Sequence, residues 1–124
     1  MENNILKEFI LWVSLKDLCV SKLPAGSCGV YVFTSNKNIK YKKGDSKIIY
    51  IGMTDSFRRR ILGNHIGGVG GKTTKRINSN LFENKFIDKI KIGFKETGNF
   101  KYEEKRLQNM FFQLFGEKPL WNLR

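Results

Sequence analysis

Several things are scarce in this 124-residue chain, and each scarcity closes off a class of protein. Two cysteines, Cys19 and Cys28, are too few for a disulfide framework. Neither has the C-x-x-C or Cys/His spacing of a zinc site, so both read as reduced residues of a core or a strand. Long apolar runs are missing too. The stretch Ile10 to Val13 follows Lys7 and Glu8, is far too short to cross a bilayer, and shows no signal-peptide pattern. Repeats and linkers are absent. Acidic residues are the most telling shortage: 11 Asp and Glu stand against 23 Lys and Arg, a net charge of +12.

That charge is a large positive field for so small a chain. It points to a polyanionic partner, because contacts to phosphates release counterions and drive binding without any reading of bases. A membrane surface is the weaker alternative, since the basic residues are spread over several segments rather than aligned on one amphipathic helix. Hydrophobic residues make up 40% of the chain and include ten Phe, enough for one packed core without cross-links. The expectation is one domain over 1–124, with residues 1–22 as an N-terminal helical extension.

Periodicity supplies the elements. A broad apolar stripe (Ile5, Leu6, Phe9, Leu11, Trp12, Val13, Leu15) predicts a helix over 5–20, ended by Leu23-Pro24-Ala25-Gly26. Cys28 to Thr34 alternates as a strand, with Val30 and Val32 on one face and Tyr31 and Phe33 on the other. Ser35 to Ser46 reads as a polar, loose hairpin connection, and Lys47 to Gly52 as a second strand with Ile49 and Ile51 opposite Ile48 and Tyr50. Thr54-Asp55-Ser56 offers capping chemistry for a helix from Phe57, stopped early by Gly63-Asn64. A glycine-rich loop over 63–72 leads to a second helix capped by Thr73 or Thr74 and carrying Ile77, Leu81 and Phe82. Residues 85–94 read as a third strand, 102–115 as the last helix, stopped by Gly116, and Pro119-Leu120-Trp121-Asn122 as a docked tail. The economical architecture is α+β, a small three-stranded antiparallel sheet flanked by helices.

Pairing the first two strands as a hairpin lets Tyr50 share a face with Tyr31. Paired tyrosines on neighbouring strands are common packing. Here a helix opening Ser56-Phe57-Arg58-Arg59-Arg60 follows directly, and a helix N-terminus carrying three arginines attracts anions. Phe57 and Ile61 should face the core, which puts Arg60 on the flank near the sheet and leaves Arg58 and Arg59 for solvent or a DNA backbone.

Gly29-Val30-Tyr31, Tyr50-Ile51-Gly52, the helix with Arg60 and the ending Pro119–Asn122 stand in an order and spacing that resemble the GIY-YIG nuclease family over residues 23–122. The segment Lys72–Leu81 also resembles the basic helix start of restriction-type members. The resemblance implies a small restriction-like or phage-like member, cytoplasmic in a bacterial or phage-infected cell, that hydrolyses DNA phosphodiesters. In such a site Tyr31 or a nearby base would take a proton from the attacking water. A phenol with a pKa near ~10 needs help for that, and adjacent positive charge would favour the phenolate. Arg60 would brace charge on the phosphoryl oxygens, and Tyr50 would hydrogen-bond the phosphate or the water. One Mg²⁺ or Mn²⁺ per site would sit on a single glutamate of the last helix. Gly29, Gly52 and Asn122 would support the geometry.

Two departures stand out. Counting back one turn from the Phe111-Phe112 pair places the metal-ligand position at Gln108, on a stripe 108, 111, 112, 115 that is otherwise Phe. Gln nearly matches Glu in shape but lacks the charge that a hard cation wants. It reads as a neutral amide bonded to backbone, or as an inactivating Glu-to-Gln exchange at the ligand position, or as a ligand moved one turn back to Glu104. His65, the single histidine, stands five residues after Arg60 where the family often has one at four. On an unbroken α-helix it would point away from Arg60, and its alternatives are base or phosphate ligand against a surface histidine.

The leading expectation is thus a metal-dependent endonuclease, and the alternative is a non-catalytic nucleic-acid-binding module on the same scaffold. Double-stranded DNA is the expected partner, with RNA or single-stranded DNA as alternatives and no membrane. Backbone contacts are expected from Lys40, Lys42, Lys43, Lys72, Lys75 and Arg76, each of which also reads as solvated rim. Cutting both strands would need a homodimer or two sequential nicks.

Overall fold

In the computed structural model of the chain, which describes residues 2–17, 28–66, 68, 70–82 and 89–122, the organising element is one long hairpin. Its strands are β2 (Gly29–Tyr41) and β3 (Gly44–Thr54), joined by a tight turn at Lys42-Lys43. The expected loose connection over 35–46 is therefore mostly strand. Pairing with β3 lapses between Thr34 and Ile39 and resumes at Ile39↔Ser46.

β4 (Ile90–Glu96) runs antiparallel to the other side of β2, and β1 (Leu11–Ser14) runs antiparallel to β4, giving the order β1-β4-β2-β3. Among the described residues the sheet has four strands rather than three. The additional strand comes from the segment expected to be helical: among its described residues only α1 (Asn3–Leu6) is α-helix, and a 3₁₀ turn (Leu15–Asp17) follows β1. Ile10-Leu11-Trp12-Val13 is a run of aliphatic, aromatic and β-branched residues, and pairing with β4 outweighed its broad helical stripe. The Leu23–Gly26 turn, Cys19 and the first part of the expected 85–94 strand lie outside the described residues. Cys28 is a free thiol whose Sγ approaches the Thr97 carbonyl at 3.4 Å.

A bulge decides which side chains share the site. Phe33 pairs with Tyr50 and Thr34 with Ile48, so Ile49 is an extra residue in β3. Strict alternation fails there: Ile48 and Ile51 pack together on one face, while Ile49 and Tyr50 join the other. The first face carries Val30, Val32 and Tyr41 against α3 (Phe100–Phe115) through Leu107, Phe111 and Phe115. Phe112 is half exposed, so the buried stripe of α3 runs 107, 111, 115 and leaves position 108 at its margin. α3 ends at Gly116, whose φ of 79° is the left-handed conformation that glycine adopts at a helix stop.

The opposite face holds Tyr31, Phe33, Tyr50, Ile92 and Phe94. It is covered by Phe57 and Ile61, by Ile77 and Leu81 of α2 (Lys72–Phe82), and by Trp121 of the tail. Between β3 and α2, residues Arg58–Ile66 wind as a π-type helix through Gly63-Asn64, which do not stop it.

Candidate active site

Tyr31 and Tyr50 come from adjacent strands, their ring centroids 5.8 Å apart. This close approach depends on Gly52, which pairs with Tyr31 across the ladder. A Cβ on Gly52 would lie 2.7 Å from ring atoms of both tyrosines, nearer than real contacts allow. A Cβ on Gly29 would likewise fall 2.0 Å from the Lys95 carbonyl of β4.

Arg60 reaches the pair from the start of the π-type helix. Ser56 caps that start, its hydroxyl accepting from Arg59 N–H at 3.3 Å. Phe57 and Ile61 are fully buried, as the spacing predicts, and Arg60 on their flank points its Nε–H at the Tyr31 oxygen, 3.4 Å away. Arg58 and Arg59 are exposed, and Arg59 pairs with Asp55.

His65 arrives from the far end of the same helix, and the winding explains how. With i→i+5 hydrogen bonding, a residue five positions on comes round to the same side, where an α-helix would carry it away. His65 Nε2 lies 2.6 Å from the Tyr31 hydroxyl, and its ring packs against Tyr31, Phe33 and Tyr50. Asn78 of α2, which no sequence pattern singles out, holds this end in place. Its amide donates to the His65 and Ile66 carbonyls at 3.0 and 2.9 Å.

The Tyr31 oxygen accepts from Arg60 and shares a hydrogen bond with His65 Nε2 whose direction follows the imidazole tautomer: with the ring proton on Nδ1, the Tyr31 O–H donates to Nε2. Nδ1 is the one buried side-chain polar atom without a partner among the described residues. Burial first, then the Arg60 charge, pull the His65 pKa down to about 3. Burial also pushes the Tyr31 phenol well above its usual value, with Tyr50 adding to the rise and Arg60 opposing it. The expected phenolate is thus not favoured: desolvation outweighs the guanidinium, and both groups are neutral. Tyr31 and His65 have no exposed surface, so a phosphate reaches them only after this contact opens.

Gln108 lies beside β3, its Nε2 donating to the Ile51 carbonyl at 3.2 Å. Asn122 of the tail donates to the same oxygen at 2.9 Å and accepts from Ile51 N–H at 3.0 Å, taking the place of a paired strand. Trp121 N–H bonds the Ile49 carbonyl at the bulge, 2.8 Å away. The basic residues Lys40, Lys42, Lys43, Lys72, Lys75 and Arg76 are all exposed on the hairpin tip and α2, and Arg76 donates to the Leu120 carbonyl at 3.0 Å.

A family model described as the GIY-YIG catalytic domain matches residues 27–113. The chain belongs to the GIY-YIG family. No curated protein and no solved structure gave a significant match. Membership makes this a nuclease-type domain, of a family that cleaves phosphodiesters, acts on nucleic acid and generally depends on a divalent metal. No helix among the described residues is long and apolar enough to cross a membrane.

The metal requirement can be tested against the donors present. A hard divalent cation wants anionic oxygens. Gln108 offers a neutral amide whose NH₂ is engaged at Ile51, and the cluster around Tyr31, on the other face of the sheet, adds phenols, a neutral imidazole and a guanidinium. Glu104, one turn earlier, is half-buried and has an interaction of its own. No group of three or more His, Cys, Asp or Glu gathers anywhere among the described residues. The residues present do not fit a resident divalent cation in the GIY-YIG pattern.

Proposed function

We propose that this GIY-YIG domain is a DNA endonuclease whose nucleophile side is complete and whose leaving-group side is impaired. The observation that supports it is the Tyr31 hydroxyl held between His65 Nε2 and Arg60 Nε. A phosphodiester entering beside Arg60 brings a negative charge that offsets the Arg60 charge, which after burial is the second cause depressing His65. Its imidazole then becomes a better acceptor. Tyr31 can pass its proton to His65 Nε2 while it takes one from the attacking water, and the new P–O bond forms as the bond to the leaving oxygen breaks. Arg60 stabilises the charge on the phosphoryl oxygens. Tyr50, on the neighbouring strand, orients the phosphate or the water.

The exposed Arg58 and Arg59 and the lysines of the hairpin tip and α2 supply backbone contacts. The substrate is duplex DNA, the site of action cytoplasmic, and double-strand cutting takes a homodimer or two nicks. The test is incubation with supercoiled plasmid, linear duplex, single strands and RNA, by this chain and by Gln108→Glu. Nicking of plasmid supports the proposal. Failure of both proteins on every substrate overturns it.

A second reading has its own support. The Gln108 amide serves as a donor to a backbone carbonyl, a job that a carboxylate cannot do. A domain that bound nucleic acid without cutting it could use position 108 in this structural way. This reading expects salt-sensitive binding, no effect of divalent metal, and no activity gained from Gln108→Glu.

A further inference from the structure

The charges picked out by sequence pattern lie on the hairpin tip, α2 and the π-type helix. A different set converges where β2 parts from β3. Between Thr34 and Ile39 the two strands lose their pairing, and a cleft of about 340 Å³ opens there, lined in part by Thr34, Ser35, Asn36, Lys47, Lys89 and Lys91. Three of these are lysines, and no carboxylate lines the cleft among the described residues. The Glu2 carboxylate, at the start of α1, is occupied with the Ser46 hydroxyl and Lys47 N–H of β3 at 2.5 and 2.8 Å.

The hydroxyls are built in rather than decorating a surface. Thr34 and Ser35 are only 7% and 9% exposed. The Ser35 oxygen accepts from Lys37 N–H at 3.2 Å, which leaves its own proton to donate elsewhere. Concave shape, a lining rich in lysine and a hydroxyl donor are the chemistry of a phosphate site.

We infer that this cleft is a second phosphate-binding site, which grips the nucleic-acid backbone away from the bond to be cleaved. Ser35 stands four residues beyond Tyr31 on one strand, about 13 Å at the usual rise. A substrate gripped there and at Arg60 is fixed in direction along β2. The inference rests on the proposed action on nucleic acid.

Two measurements test it. In the first, inorganic phosphate is titrated into labelled protein, and the amide signals of Ser35, Asn36 and Lys91 are followed. They should shift in the wild type and equally in Arg60→Ala, and stay still in Lys47→Ala/Lys91→Ala and in Ser35→Ala. In the second, duplex DNA binding is measured against salt. The logarithmic slope should fall by about one unit in the double lysine variant, the loss of one neutralised phosphate. It should fall by a similar amount again when Arg60→Ala is added. Phosphate shifts without a change of slope would mean a small-anion site and overturn the backbone assignment. No shift at these amides would overturn the site itself. Intact phosphate shifts in a protein that binds no DNA would count against the proposed function while leaving the cleft's anion chemistry standing.

Discussion

The Tyr31 hydroxyl and His65 Nε2 lie 2.6 Å apart in a fully buried contact, although His65 stands five residues after Arg60 on the same helix. π-type winding of Arg58–Ile66 reconciles these facts, and Asn78 ties down the end that carries His65. The cluster is neutral apart from Arg60, and it is closed.

A buried neutral histidine makes stability depend on pH. The folded pKa of His65, about 3, lies below the ordinary value of 6.5. Below pH 6.5 the unfolded chain therefore binds a proton that the folded chain does not, and stability falls as pH falls through the window from 6.5 toward 3. Between pH 7 and 5.5 the loss should be about 1 kcal/mol. Urea unfolding at both pH values checks this, and His65→Gln should remove most of the difference. Glu103, held down to about 2 by Arg106 and Lys95, adds its own loss only below its ordinary value of 4.5, outside the interval between pH 7 and 5.5.

Gly52→Ala should disturb the site through packing alone. The added Cβ would sit 2.7 Å from ring atoms of Tyr31 and Tyr50. An overpacking cost of about 1–3 kcal/mol is expected in chemical denaturation. Any cleavage activity should fall with it, because Tyr31 must shift relative to Arg60.

Gln108→Glu should act on two quantities in opposite directions. It removes the N–H that donates to the Ile51 carbonyl and sets a carboxylate against that oxygen, so thermal stability in metal-free buffer should fall by about 1 kcal/mol. It also supplies the missing anionic ligand, so Mg²⁺ or Mn²⁺ should raise the melting temperature of this variant and not of the parent chain. Equal metal response in both proteins would mean that position 108 does not govern metal binding.

What was legible in the sequence follows the strength of each local signal. Tyr31, Tyr50, Gly52, Arg60 and the Pro119–Asn122 ending could be found because each rests on short, rigid spacing: strand alternation, a capped helix start, a docked tail. The β3 bulge could not be read, because Ile48, Ile49 and Ile51 are equally apolar and nothing in their order says which one is extra. β1 was missed because a four-residue strand hides inside a broad helical stripe and is fixed only by distant β4. His65 was the hardest case. Its spacing argued against the site on an α-helix, and only the wider winding brings it in. The Lys47–Lys91 cleft joins residues far apart in sequence and left no local pattern.

The proposed phosphodiester cleavage rests on the Tyr31 hydroxyl and Arg60. Tyr31→Phe keeps the ring in its packing and removes only the oxygen, and Arg60→Ala removes only the positive brace. The deciding measurement is the single-turnover rate of plasmid nicking by the parent chain and both variants, with folding verified by circular dichroism. The parent chain should nick, and the rate should fall by about 10² to 10⁴-fold in each folded variant. Nicking that survives unchanged in folded Tyr31→Phe would contradict that proposal.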